Sequence, residues 1–393
     1  MKNSRTFNLF CYSLLAYAFC LPLSIALVQP AAYLASLLGL FYFITSRESY
    51  PGIFEFRWSI LIFLSVIVVT AITGIRTGHS FEKMNRFILF FIAWAIPFSL
   101  RDGNQRTKLL ERLVVAFVLG ATLKAAYDFV RVPTAVQMGT PLFQTGNMRD
   151  PQMYYAAICM AAGLFMTRAW SFRYPPAVVS FVILCGGFII HFKRGAWAAC
   201  LGALAIMAVI SRKWRYLGIL LLFGILLVSL PQTRQRLGAL QSEFDSDAGG
   251  RLTLWTKVAP VLIKEHPMGV GWKGITHEDF IAVSANVEKG LNHLHNNILQ
   301  VTLELGVAGL AAWLFLVGSI FTILFKNYRA TYTSDRTLAG ISLGVFGAFT
   351  GLMLNGMVEY NFGDSEIFMI IVLIMGLAAG VSAIRIEQKN GTV

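Results

Sequence analysis

Residues 366–385 read EIFMIIVLIMGLAAGVSAIR, and no residue between Glu366 and Arg385 carries a charge. A helix of about 20 apolar residues crosses a hydrocarbon core about 30 Å thick, so this stretch reads as a membrane-spanning helix. Working back from it, similar runs lie near 337–357, 297–325, 214–230, 195–211, 176–192, 152–168, 109–130, 86–100, 58–74, 30–45 and 7–27. Only Val28, Gln29 and Pro30 separate the first two. The whole chain is 56% hydrophobic and 13% charged, where a soluble domain carries roughly a quarter charged residues. Its 31 Phe and 8 Trp suit helices that face acyl chains and headgroups. These runs predict an all-α, polytopic integral membrane protein of about 12 transmembrane helices, forming one membrane domain over residues 1–393. No cleavable signal peptide is expected, because the apolar run from Phe7 leads straight into further spans.

Charge sets the orientation. Of 33 Lys and Arg, 18 fall in one set of alternating segments and seven in the short loops of the other, with seven more in one long loop. The positive-inside rule counts the short loops and therefore places both termini in the cytoplasm. The formal charge of +13 is scattered over many loops, which argues against a nucleic-acid partner. Cys11, Cys20, Cys159, Cys185 and Cys200 all lie inside apolar runs, so neither a disulfide framework nor a thiolate metal site is expected.

The long loop, residues 231–296, is inserted between spans nine and ten on the extracytoplasmic side. Leu252, Trp255, Val258, Ala259, Leu262 and Ile263 recur in it at helical spacing, predicting an amphipathic helix over 252–265 against the outer surface of the bundle. A second outside loop, 131–151, is expected to help shape a cavity.

All six histidines (His79, His191, His266, His277, His293 and His295) fall on this outer side, two of them in the cluster 292–297, NHLHNN. Imidazole titrates near pH 6.5 and can take a proton from a hydroxyl. Beyond His295-Asn296 come nine residues, then Gly306, two residues, and Gly309. On a continuous helix these glycines share the face of His295, where small residues admit a close neighbour, while Glu304 lies roughly opposite. A structural histidine at a helix N-terminus above a glycine packing seam explains the same residues. The turn His191-Phe192-Lys193-Arg194-Gly195 carries two cations on the side where few are expected, and Arg251 opens the amphipathic helix after Gly249-Gly250. Guanidinium forks match phosphate oxygens; headgroup snorkelling is the alternative.

Other signals carry less. Residues 269–274, GVGWKG, spell a dinucleotide fingerprint, but no strand precedes them and they read as a turn. His293 and His295 lack the helical spacing of a zinc pair, and no carboxylate or thiol is evidently placed to complete a site, so no metal is expected. Lys124 and Asp128 read as an i,i+4 ion pair, and Asp245 and Asp247 as capping or cation-binding groups.

Taken together, His295-Asn296 with Gly306 and Gly309, the Lys193-Arg194-Gly195 turn, and Gly250-Arg251 running to Trp255 resemble the bacterial O-antigen ligases, within the wider group holding O-antigen polymerases and O-linked oligosaccharyltransferases. The resemblance covers nearly the whole chain in length and topology. It implies a membrane-embedded, GT-C-like glycosyltransferase of the bacterial inner membrane, with a periplasmic active site. The partners it implies are an undecaprenyl pyrophosphate-linked glycan donor, a lipid A–core acceptor and membrane lipids, with neither cofactor, nucleotide sugar nor metal. By resemblance, His295 is the base or hydroxyl-orienting group, and Arg194 and Arg251, with Lys193, hold the pyrophosphate. Asn296, His293, Gly306, Gly309 and Trp255 support them. Direct displacement on the sugar would invert its anomeric carbon, since no carboxylate pair for a double displacement is evident. The rival readings are an O-antigen polymerase and a lipid-linked glycan transporter. Transporters tend to place charged or broken helices near the midplane, whereas the unusual groups here sit at the outer ends of spans.

Overall fold

A computed structural model describes residues 4–46, 54–100, 106–137, 149–229 and 249–389, together with Pro231 and Arg234. Every regular element among the described residues is a helix. Five of these helices are long and apolar enough to cross a membrane: Ile25–Ser46, Arg106–Arg131, Asn297–Thr331, Arg336–Asn355 and Ser365–Gln388. Four shorter apolar helices accompany them: Arg57–Thr73, Pro175–Ile190, Arg194–Ile210 and Arg215–Leu226. Large apolar side chains on the outer helices remain uncovered, among them Leu37 at 65% and Leu221 at 68% exposure. Such a surface requires lipid around it.

All the apolar runs are helical, but three differ from the sequence reading. The first break falls after Ser4–Cys20, and Ile25–Ser46 follows with Pro30 inside it. Pro22 lies in the break, and the Ser24 hydroxyl accepts from the Ala26 N–H at the start of the second helix. The stop signal is therefore Pro22, whereas Pro30 falls early in a helix that continues through it. The run at 86–100 is composite, a 3-10 stretch Met84–Leu89 leading into the helix Phe90–Phe98. The helix Arg106–Gln137 continues into the expected loop at 131–151, of which residues 138–148 lie outside the described residues.

The helix Arg149–Met166 occupies the centre and is buried from Asp150 to Met166. It lies against Arg336–Asn355 along a line of glycines. A Cβ on Gly163 would stand 2.5 Å from the Gly340 carbonyl oxygen, and one on Gly344 would stand 2.7 Å from Met160 Cα. Between membrane helices the hydrophobic effect contributes little, so backbone approach of this kind supplies the packing.

The helix Asn297–Thr331 is broken at Gly306, whose φ of 68° and ψ of −172° are non-helical. The break leaves the Leu303 and Glu304 carbonyls without intrahelical donors, and the turn 269–274 supplies replacements. Val270 N–H reaches the Leu303 oxygen at 3.0 Å, and Gly271 N–H reaches that of Glu304 at 2.9 Å. Segment 249–296 has a small core of its own, containing Leu254, Val258, Ala259, Leu262, Val270, Ile275, Phe280 and Leu294. The expected amphipathic helix exists as Arg251–Thr253 and Ala259–Glu265, joined by a π-helical turn Leu254–Val258. That turn rotates the buried face, so Leu254 is buried and Leu252 only half-buried, a correction to the regular spacing assumed from sequence.

Gly306→Ala should destabilise the fold. The left-handed backbone alone costs about 1–3 kcal/mol, and the added Cβ would meet the Pro267 carbonyl oxygen at 2.6 Å. The melting temperature in detergent is expected to fall by several degrees. Gly318→Ala, where an added Cβ meets nothing within 4 Å, should leave it nearly unchanged.

Candidate active site

The loop between Arg336–Asn355 and Ser365–Lys389 carries Glu359, and the start of the Asn297 helix holds that loop. Asn297 N–H donates to the Gly356 carbonyl at 2.7 Å. Its side chain donates to Asn361 Oδ1 at 2.8 Å and accepts from Phe362 N–H at 3.1 Å. Asn361 in turn donates to Gln152 Oε1 and to the Leu352 carbonyl, both at 2.9 Å. Gly356 is glycine for space, since a Cβ there would collide with the Asn297 amide. Asn296 is the N-cap: its side chain accepts from Leu299 N–H at 3.1 Å and donates to the Met357 carbonyl at 2.8 Å.

The histidine segment is fixed just as closely. Leu294, between the two imidazoles, donates its N–H to Gln300 Oε1 at 2.7 Å and accepts from Trp255 Nε1 at 2.7 Å. Gln300 donates to buried Glu304 at 2.8 Å, and Glu304 accepts from the Tyr360 hydroxyl at 3.0 Å. The first turns of one helix therefore position both arms of the site, the segment 293–295 and the loop at 359–360. Held this way, His295 takes a left-handed φ of 48°, which is strained for a residue with a Cβ.

Both arms meet at the Glu359 carboxylate. Its Oε1 lies 2.8 Å from His295 Nδ1 and 3.3 Å from His293 Nε2, and its Oε2 lies 3.3 Å from Arg251 Nη2. Glu359 is 5% exposed, and burial pushes its carboxyl pKa up. The hydrogen bonds from His293 and His295 and the Arg251 charge outweigh that and hold it well below the usual carboxylate range. An ionised carboxylate can only accept, so His295 Nδ1 carries the proton, and in the neutral ring the lone pair sits on Nε2. Nε2 has no protein partner among the described residues.

Arg194 opens the helix Arg194–Ile210, with Lys193 at its N-cap. The next residue, Gly195, packs against the Glu359 loop: a Cβ there would meet Val358 Cγ2 at 3.2 Å and Asn355 Nδ2 at 3.4 Å. Of the sequence-predicted residues, Arg251, His293 and His295 meet at Glu359, and Asn296 bonds to the same loop. Trp255 bonds to Leu294 between the histidines, and Arg194 adjoins the loop through the next residue, Gly195. The shared helical face assigned to Gly306 and Gly309 is not found. His295 precedes the helix, Gly306 breaks it, and a Cβ on Gly309 would meet Leu305 of its own chain segment. Gly306 admits a turn instead of a helix. Glu304 bonds instead to Gln300 and Tyr360.

Glu359 was missed from sequence, and with it a donor set. Ligand atoms of His293, His295 and Glu359 lie within 4.8 Å of one another, which corrects the expectation that no carboxylate completes a metal trio there. Arg251 already places a positive charge on the same carboxylate. A second cluster lies alongside. Lys124 pairs with Asp128 at 2.6 Å as expected and with Asp150 at 2.9 Å, while His191 Nε2 lies 3.0 Å from Asp128 Oδ2. Arg149 links Asp150 to Glu366, at 2.9 and 3.1 Å. Asp245 and Asp247 lie outside the described residues. A signal for Glu359 was present in the sequence: the short loop 358–365 between two almost uncharged helices holds two acids, Glu359 and Asp364, and no base.

Comparison with known proteins places this architecture. The family described as O-antigen ligase matches residues 179–314, which include Arg194, Arg251 and His295. An O-antigen ligase of Salmonella typhimurium is 22% identical over 355 residues, covering 79% of this chain and 85% of that protein. Rickettsia typhi and Rickettsia conorii proteins provisionally named polysaccharide ligases are 34% and 35% identical, over 29% of this chain and 27% of theirs. The helical bundle and its polar end are those of a multi-pass membrane protein. The chain is thus similar to the O-antigen ligases, through the family match over residues 179–314 and the longer, weaker match to the Salmonella protein.

Because the Glu359 carboxyl is depressed in the folded state, its contribution to stability is full above about pH 4.3, the unfolded value, and is lost as pH falls toward the folded one. Thermal melts from pH 7 down to pH 3 should show the wild type losing stability more steeply below that value than Glu359→Gln. Parallel curves would remove the carboxylate from the centre of the site.

Proposed function

We propose that this protein is an O-antigen ligase of the bacterial inner membrane, transferring a glycan from undecaprenyl pyrophosphate to a sugar hydroxyl of lipid A–core. In this reading about 12 spans leave both termini in the cytoplasm, residues 231–296 form a periplasmic insertion, and the Glu359 site opens to the periplasm. The observation that carries it is the Glu359 carboxylate, which holds His295 by Nδ1 on one oxygen and Arg251 on the other.

The chemistry follows from that arrangement. His295 Nε2 takes the proton of the acceptor hydroxyl as its oxygen attacks the anomeric carbon. The bond from that carbon to the diphosphate oxygen breaks, and the electron pair leaves with the diphosphate. Arg251, with Arg194 and Lys193 at the adjoining helix start, meets the growing negative charge. Glu359 keeps the imidazole oriented and offsets its charge once protonated, as the acid of a hydrolase triad does. A single displacement inverts the anomeric carbon. The guanidinium groups take the part a divalent ion would otherwise play, so transfer is expected to survive EDTA.

Reconstitution of the purified protein with lipid-linked glycan and lipid A–core, with and without EDTA, tests this. His295→Ala, Arg251→Ala and Glu359→Gln should insert and fold yet lose about a hundredfold or more in rate. A normal lipopolysaccharide ladder in null cells carrying the His295 or Arg251 variant would count against the reading. Loss of capped chains while undecaprenyl-linked polymer accumulates separates a ligase from a polymerase. Inhibition by EDTA would move the charge-stabilising role to an ion at His293, His295 and Glu359.

A further inference from the structure

The turn Gly269-Val270-Gly271-Trp272-Lys273-Gly274 does more than close a loop. Its backbone satisfies the broken helix at Gly306, and Val270 accepts from Ile75 N–H at 3.0 Å. Trp272 is fully buried, and the Arg86 guanidinium lies over its ring at 5.7 Å. Between these anchors, Lys273 takes a left-handed φ of 55°, strained for a side chain with a Cβ. The strain is met by the surrounding structure, and the lysine is delivered to a defined place.

That place is the wall of the Glu359 site. Lys273 Nζ sits 4.4 Å from the centre of the Tyr360 ring, and the same ring lies 5.9 Å from that of His293. Gly363 leaves room for the ammonium, because a Cβ there would stand 2.6 Å from Nζ. Among the described residues Nζ has no hydrogen-bond or ion-pair partner. Arg86, by contrast, donates to the Gly363 carbonyl. Burial lowers the Lys273 ammonium from its ordinary value, only partly opposed by the charges of Glu304 and Asp364. An ammonium that is costly to bury and left unpaired is set to receive an anion.

Contacts run from Arg251 through Glu359 and the two histidines to Tyr360 and Lys273, with a cation at each end and the imidazoles between. Resting on the ligase reading, in which Arg251 faces the donor diphosphate, we propose that Lys273 binds an oxyanion, a phosphate or a carboxylate, carried by the acceptor glycan. The cation–π contact holds the ammonium while the site is empty, and the acceptor's oxyanion completes its coordination. Lys273 is therefore a specificity-determining residue for the acceptor.

The test uses the full-length protein in proteoliposomes, with acceptor and donor varied separately. Lys273→Met should raise the acceptor KM about tenfold or more, leaving the donor KM and kcat within about twofold, and Lys273→Arg should recover most of the loss. Wild-type protein should lose the same factor on lipid A–core stripped of phosphate or on lipid A–core with reduced carboxylates, and the arm that loses identifies the group. Lys273→Met should be indifferent to that change. An unchanged acceptor KM, a rise confined to the donor KM, or a wild type indifferent to both treatments overturns the proposal. Calorimetric binding of delipidated core oligosaccharide, weaker for Lys273→Met than for Lys273→Arg, reads the same contact without turnover. No transfer by the wild type would instead defeat the ligase reading, which keeps the two failures distinct.

Discussion

A carboxylate taken out of water must be met by protons and positive charge, and at Glu359 that requirement organises the surrounding structure. Two imidazoles and a guanidinium from different parts of the chain are brought onto one side chain. The cost of burying the charge is offset only while all three stay in place, so the same interaction that stabilises the loop also sets the geometry of the groups around it. Position and proton placement become one property here. His295 is oriented by its bond to Glu359, and the orientation leaves its second nitrogen available.

Rigidity beneath the site comes from amides and backbone groups more than from charges. Asn296 and Asn297 attach the Glu359 loop to a helix start, while Gln300 and Glu304 attach both the histidine segment and Tyr360. These residues are buried with their polar groups satisfied, and the low dielectric around them makes each bond expensive to break. The discontinuity at Gly306 fits the same scheme. A helix interrupted within a membrane protein needs new partners for its freed carbonyls, and the turn that supplies them is the one that carries Lys273.

Much of this was legible in sequence, and the limit has a physical origin. Length and apolarity of the runs locate helices directly, because lipid rewards little else. His295, Asn296, Arg251 and Trp255 stood out because each sits in a local pattern, at a helix start or beside glycines. Glu359 did not, since its charged partners lie 64 and 108 positions away and its one local bond, from the Tyr360 N–H, marks no pattern in the sequence. The glycine spacing misled for a related reason: periodicity assumes an unbroken helix, and Gly306 adopts a backbone that ends that assumption. Pro30 misled as well, because the helix Ile25–Ser46 runs through it despite the backbone donor it lacks, and the break falls at Pro22 instead.

The lateness of Glu359 in the chain bears on how the protein is made. Helices enter the bilayer in order of synthesis, so Arg194, Arg251 and His295 are all in place before the ribosome has added the residue that gathers them. The buried helix Arg149–Met166 likewise waits for Arg336–Asn355 before its glycine face is covered. A nascent chain therefore holds the basic groups of the centre, and the bonds of Leu294 to Gln300 and Trp255, before it holds the carboxylate on which those groups meet. A copy halted before the Glu359 loop would carry the basic side chains without the carboxylate that gathers them.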